Sequence, residues 1–183
     1  MSKSLAVPLF GQETPMWCWA ASGEMVMTYL GASVTQGVQA NNRFNRTDCT
    51  QRPPPSACAL GGWWEYSKYG YSASTLWSSA LSWSQLKAEI DNNRPVWYAW
   101  AWTGGGGHAM VAKGYMEWDF FGIPFRFVEI NNPWPPSTFL DFRWLGLGVI
   151  EVNGGQNYWL TYNDWVAIAG SYSHWTDWYN IHR

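Results

Sequence analysis

Three residue types in this chain can cooperate in acyl transfer: a thiol, an imidazole and a side-chain amide. A thiol attacks a carbonyl carbon only as thiolate, and its pKa falls at a helix N-terminus or beside an imidazolium. Cys18 stands where a helix should begin. The segment from Cys18 to Leu30 has apolar residues at helical spacing (Ala21, Met25, Val26, Tyr29, Leu30), and Gly31 is placed to end it. Pro15 fits the helix entry, and Gln12 lies six residues before the cysteine. The base must be one of three histidines, His108, His174 or His182. His182 is one residue from the C-terminus and His174 lies in a polar tail segment, so both read as surface or rim histidines. His108 follows four glycines and opens the apolar run Ala109-Met110-Val111-Ala112, which puts an imidazole at the start of a β-strand with little bulk before it. A catalytic imidazole also needs an orienter on its second nitrogen. Asn131-Asn132-Pro133, after the next expected strand, offers an amide there, although Asn-Asn-Pro alone also reads as a turn.

The elements that position these groups follow from the change of periodicity along the chain. From Val34 to Ser74 the sequence is turn-rich, with one short helix expected near Trp63–Tyr69. A helix from Ser84 to about Asn92 is introduced by Ser82 and Gln85 at capping-box spacing and stopped by Asn92-Asn93-Arg94-Pro95. Beyond it, Val96–Trp102, His108–Tyr115, Phe125–Ile130, Leu147–Val152 and Tyr158–Tyr162 are aromatic or β-branched runs divided by Gly, Asn and Pro, the pattern of an antiparallel sheet or barrel. The expected class is α+β, with a helical lobe of about residues 12–80 and a β lobe of about 81–183 forming one domain.

Composition narrows the function. The chain has 183 residues, 11 Lys plus Arg against 13 Asp plus Glu, and a formal net charge of -2. Without a basic excess, neither nucleic acid nor an anionic membrane surface is an expected partner. No stretch approaches the roughly 18 apolar residues of a membrane span, and residues 1–12 have no signal-peptide core. Sixteen Trp, ten Tyr and eight Phe supply an aromatic core and, in part, the lining of a groove. Cys49 and Cys58 bracket a short loop stiffened by Pro53, Pro54 and Pro55, close enough to bridge in an oxidising compartment, which sets Cys18 apart. Gly104–Gly107 is not a phosphate loop, because no Lys-Ser/Thr follows it. The histidines are scattered, no metal-ligand spacing emerges, and no cofactor is expected. The sequon at Asn45-Arg46-Thr47 matters only in a eukaryotic secretory pathway.

Taken together, Gln12-Glu13-Thr14-Pro15-Met16-Trp17-Cys18-Trp19-Ala20-Ala21-Ser22 resembles the active-site segment of papain-like cysteine proteases. Asp48-Cys49, Cys58-Ala59-Leu60-Gly61-Gly62, Gly107-His108-Ala109 with Gly114-Tyr115, and Asn132-Pro133-Trp134 match further motifs of that family, in its chain order. Val7-Pro8-Leu9, Met16–Ala21 and Ile130–Pro135 look most like compact bacterial members, a group that includes plant-pathogen effectors. The resemblance implies Cys18 as nucleophile, His108 as base and acid, Asn132 as orienter and Gln12 as an oxyanion-hole donor. It further implies Trp19 and Trp134 as supports, and Gly61, Gly62, Trp63 and Trp17 at the substrate. Such a protein would be a soluble, monomeric endopeptidase acting on peptides, secreted or delivered from a bacterium. With only eleven residues ahead of Gln12, no inhibitory propeptide is visible, and a mature form or control by delivery is expected. Two other readings keep the same residues. The triad could serve a transpeptidase, amidase or deamidase, or the chain could be an aromatic-rich module that binds peptide or glycan without turnover.

Overall fold

The fold is organised around a helix that is buried on nearly all sides. In a computed structural model, residues 1–134, 138–141, 149–152 and 154–183 are described. Helix α1 spans Cys18–Tyr29, and every residue from Trp19 to Met27 is buried, so it forms a central element with no solvent stripe. Gly23 permits this enclosure, because a Cβ there would lie 2.5 Å from Trp64 Cδ1 and 2.7 Å from Gln39 Oε1. Helix α2 (Gln36–Phe44) packs on α1. It was illegible in a stretch read as turns, because Gly37, Asn41 and Asn42 are poor helix formers. Tertiary bonds hold it instead: Gln39 Nε2 donates to the carbonyls of Ala20 at 2.8 Å and Val34 at 2.9 Å. Asn45 ends it in the left-handed region at φ 52°. Short 3-10 turns follow at Ser56–Cys58 and Tyr66–Tyr69, the latter at the end of the helix expected near Trp63–Tyr69.

Against α1 lies an antiparallel sheet of eight strands. Its strands are β1 (Ser2–Ser4), β2 (Ser72–Trp77), β3 (Val96–Trp102), β4 (Gly107–Phe120), β5 (Ile123–Asn132), β8 (Gln156–Thr161), β9 (Ala167–Ile168) and β10 (Tyr172–His182). The main order is β2-β10-β3-β4-β5-β8, with β1 on β4 and β9 on β10. A separate pair joins β6 (Thr138–Asp141) to β7 (Val149–Val152). Leu147 and Gly148 of the strand expected at 147–152, and Pro135, lie outside the described residues. Helix α3 (Trp83–Asp91) carries the capping box: Ser82 Oγ accepts from the Gln85 N–H at 3.3 Å, and Gln85 Oε1 accepts from the Ser82 N–H at 2.9 Å. A short helix, α4 (Tyr162–Val166), follows β8. Helices and an antiparallel sheet make this an α+β protein, and no helix among the described residues is long and apolar enough to cross a membrane.

The sequence reading placed His174 at the surface, and the structure corrects this. The polar tail is β10, an inner strand, and His174 is buried there with Thr176 and Asp177. His174 Nε2 lies 2.7 Å from Asp177 Oδ1 and Nδ1 lies 3.2 Å from the Trp165 carbonyl, while Asp177 Oδ2 accepts from the Leu81 N–H at 2.7 Å. Polar residues that satisfy one another can be buried, and hydropathy alone does not reveal it. Rings complete the attachment: Trp178 stacks on Trp97 at 4.3 Å and Tyr172 on Trp100 at 3.8 Å, tying β10 to β3.

One buried group in α1 opposes the fold at high pH. Burial pushes the Glu24 carboxyl up to about 7, Glu13 adds to the rise, and the amide and backbone N–H of Gln36, with Arg52, pull the other way. The unfolded chain then ionises before the folded one, so stability falls as pH rises from about 4.5 through about 7. We predict that Glu24→Gln raises unfolding free energy at pH 8 by up to about 3 kcal/mol in urea titrations and leaves it nearly unchanged at pH 4. An equal effect at both pH values would show that the carboxyl titrates in the fold as it does in the unfolded chain, and would contradict the raised value.

Candidate active site

The turn before α1 sets where the thiol stands. Trp17 is the N-cap, and no side chain caps the helix there, so the first amides of α1 are left without a side-chain acceptor at the end that bears Cys18. The turn is closed by the Thr14 carbonyl, which accepts from the Trp17 N–H at 3.2 Å and from Gln12 Nε2 at 2.9 Å. Gln12 is buried, its Oε1 has no hydrogen-bond partner among the described residues, and its backbone N–H donates to the Pro133 carbonyl at 3.1 Å. The segment bearing Gln12 is thereby fastened beside the residue that follows Asn132. On the other flank, the Trp17 indole N–H donates to the Cys58 carbonyl at 2.7 Å and the Trp19 indole to the Leu60 carbonyl at 3.3 Å. Cys58 is joined to Cys49 in a disulfide, Cα to Cα 5.4 Å, and Cys18 lies outside that bridge. Both indoles thus hold the segment that leads into Gly61 and Gly62.

The imidazole and amide come from adjacent strands. His108 near the start of β4 pairs with Trp100 of β3, and β5 runs alongside with Val111 opposite Asn131. His108 Nε2 lies 2.6 Å from Asn132 Oδ1, and since a carbonyl oxygen only accepts, Nε2 carries the proton. The amide is held at both ends. Asn132 Oδ1 also accepts from the Trp134 N–H at 2.9 Å, and its Nδ2 donates to the Tyr158 hydroxyl at 3.2 Å. Burial pushes His108 below its ordinary value, and the Asn132 hydrogen bond opposes that shift. Burial raises the Tyr158 phenol, with the Asn132 bond opposing, so the hydroxyl stays protonated at neutral pH. The neighbouring Asn131 has a different role: its Nδ2 donates to the Val7 and Pro8 carbonyls, each at 3.1 Å, and its Oδ1 accepts from Asn157 at 3.0 Å.

A cavity of about 540 Å³ joins these parts. Gln12, Cys18, Trp19, Gly61, Gly62, Trp63, His108, Asn132 and Trp134 all line it. Trp17 does not, which corrects the sequence expectation: its ring is fully buried, and its indole N–H is committed to Cys58. The sequence reading missed Trp97, Trp100, Trp102, Tyr158 and Trp175 in the wall. Trp175 had no linear signal, because a bulge sets it. The β10–β3 register shifts between His174 and Thr176, leaving Trp175 unpaired in the ladder and turned to the cavity, where it meets Trp63 edge-on at 4.7 Å. Gly107 makes room for it, since a Cβ there would sit 2.4 Å from the Trp100 carbonyl oxygen and 2.6 Å from the Trp175 ring. Among the described residues, the lining includes no Asp, Glu, Lys or Arg. Among the described residues, Asp48, Cys49 and Cys58 lie close enough to share a metal ion, but the cysteines are disulfide-bonded and Asp48 pairs with Arg46 at 2.7 Å.

A thiol at a helix N-terminus and an imidazole with one nitrogen occupied by a fixed amide thus line one cavity. The family described as papain-like cysteine protease AvrRpt2 matches residues 1–139, and the chain belongs to it. The protein is therefore a papain-like cysteine protease, and its substrates are peptides or proteins. A comparison with curated proteins found no match.

The two asparagines separate experimentally. Asn131→Ala removes donors from two carbonyls and an acceptor from Asn157, and should cost about 2–3 kcal/mol of stability in urea unfolding. Asn132→Ala also loses three partners, but at the half-buried cavity wall water can replace the amide, and the cost should be about 1 kcal/mol. The reverse ranking would contradict these hydrogen-bond assignments.

Proposed function

We propose that the chain is an endopeptidase working through Cys18, His108 and Asn132 by way of a thioester acyl-enzyme. The observation that carries this reading is the 2.6 Å contact of His108 with an Asn132 amide fixed at both ends, in the cavity that Cys18 and Gln12 also line. With Nε2 occupied, Nδ1 is the nitrogen left for the thiol. Proton transfer gives thiolate and imidazolium, the former favoured also by the amides at the start of α1. The thiolate adds to the scissile carbonyl, and the oxyanion that forms is held by the Cys18 N–H and by the Gln12 N–H not donated to Thr14. Collapse of this intermediate expels the amine, which takes the proton from His108, and leaves the acyl group on Sγ. Water, deprotonated by the same imidazole, then releases the carboxylic acid and regenerates the thiol.

In this account the cavity is the cleft between a helical lobe of about residues 12–80 and a β lobe of about 81–183, within one domain. Gly61 and Gly62 present backbone to an extended peptide, and Trp19 and Trp134 shield the catalytic hydrogen bonds from water. Among the described residues the wall holds no Asp, Glu, Lys or Arg, which favours apolar residues on either side of the scissile bond, since a charged substrate side chain would find no opposite charge there outside the catalytic pair. The disulfide fits a protein secreted or delivered outside its producing cell.

Iodoacetamide should alkylate Cys18 at pH 6, where an ordinary thiol is protonated, and reactivity confined to pH above about 8 would contradict the thiolate–imidazolium pair. Function is tested by incubating the protein and Cys18→Ala with a peptide library and identifying products by mass spectrometry. Cleavage by the native chain alone, next to apolar residues, is expected. Ligated or deamidated products would reassign the acceptor, and intact peptides would overturn the enzymatic reading of the site.

A further inference from the structure

The oxyanion donor proposed above has a weak point. Among the described residues the Gln12 side chain makes one hydrogen bond, to the Thr14 carbonyl, and its buried Oε1 has no partner. An amide tethered this loosely is positioned mainly by its own backbone. That backbone is gripped on both sides by a single residue. Gln36, the first residue of α2 and fully enclosed, accepts the Glu13 N–H on Oε1 at 2.9 Å and donates from Nε2 to the Gly11 carbonyl at 3.0 Å. The chemistry of the partners fixes the amide's orientation, because an N–H only donates and a C=O only accepts. Gly11 and Glu13 are the two neighbours of Gln12, so the bonds close a clamp around it.

The clamp rests on a support outside the cavity. Gln39, one turn along α2, ties the helix to the Ala20 carbonyl of α1 and to Val34. Beside it, a Cβ on Gly37 would come within 3.0 Å of both the Cys49 carbonyl oxygen and Thr50 Cα, so α2 sits directly on the disulfide loop. Gln36 itself is not among the cavity-lining residues. We propose that Gln36 is a positioning residue for catalysis: it acts through the backbone of residues 11–13 to hold the Gln12 amide where the oxyanion forms. This rests on the oxyanion role assigned to Gln12 above.

The test uses a peptide cleaved in the library experiment and compares Gln36→Met, which keeps the volume and loses both clamp bonds together with the amide's bond to Glu24, with Gln12→Ala and the double variant. Rates are normalised to sites titrated by iodoacetamide, a displacement at saturated carbon that forms no oxyanion, so misfolded protein drops out. Gln36→Met should lower kcat roughly tenfold to a hundredfold with KM changed less than about twofold, and leave the alkylation rate of Cys18 unchanged. In the Gln12→Ala background the same substitution should cost less than about threefold, since the group it positions is gone. Unchanged kcat, equal losses in both backgrounds, or a parallel loss of alkylation would overturn the proposal while leaving the role of Gln12 standing. Full turnover by Gln12→Ala would instead overturn the oxyanion role and the clamp with it. Should Gln36→Met not fold, Gln36→Glu keeps the acceptor for Glu13 and loses the donor to Gly11. It should then show a smaller kcat loss, absent in the Gln12→Ala background, and an undiminished kcat would count against the clamp.

Discussion

The arrangement depends on one oxygen atom, Asn132 Oδ1. It accepts from the His108 imidazole and from the Trp134 backbone, while the nitrogen of the same amide is spent on Tyr158. Because the Trp134 N–H can only donate, the amide has one admissible orientation, and the imidazole then has one tautomer. The neighbouring segments are arranged around this point. Pro133 receives the Gln12 N–H, β8 brings Tyr158 opposite Ile130, and the turn at Thr14 leads from Gln12 to the start of α1. Three distant stretches of chain therefore meet at a site whose polar members are nearly all committed to fixed partners, an economical route to preorganisation.

The aromatic excess divides between two roles. Trp17, Trp64, Trp97 and Trp165 are fully buried, and stacking of Trp97 on Trp178 and Trp100 on Tyr172 fastens β10 to β3. Trp63, Trp102, Trp134 and Trp175 are part-exposed around the cavity. Several core indoles also act as donors to backbone that no strand pairs, as Trp17 does for Cys58 and Trp100 for Trp165. A tryptophan can thus fill volume and satisfy a loop carbonyl at once, which suits a chain with only 13% charged residues.

Much of this was legible from residue spacing, and the exceptions have physical causes. The helix starting at Cys18, the capping box at Ser82 and the strand Val96–Trp102 follow local rules of periodicity and capping, and they appear as expected. Helix α2 does not, because it is held by Gln39 and by contacts to the disulfide loop against its own poor propensity. Strand β10 was hidden because His174, Thr176 and Asp177 are polar yet satisfied, the first and last by each other and Thr176 by the Leu76 carbonyl, information that exists only after the strand pairs. At the site, Gln12, Cys18, His108 and Asn132 are readable as chemistry in sequence, but Tyr158, Trp175 and Gln36 are not. Their places follow from pairing register, a bulge and a tertiary clamp.

The central claim is that the fixed amide and the thiol together keep His108 charged against its burial. Desolvation alone drives the imidazole below its ordinary value of 6.5. Proton NMR titration of the His108 ring in the native protein and in Cys18→Ala tests this directly. The account predicts that the ring stays protonated well above pH 6.5 when the thiol is present, and that without it the midpoint falls below 6.5. The same midpoint in both proteins would contradict a thiolate–imidazolium pair at this site.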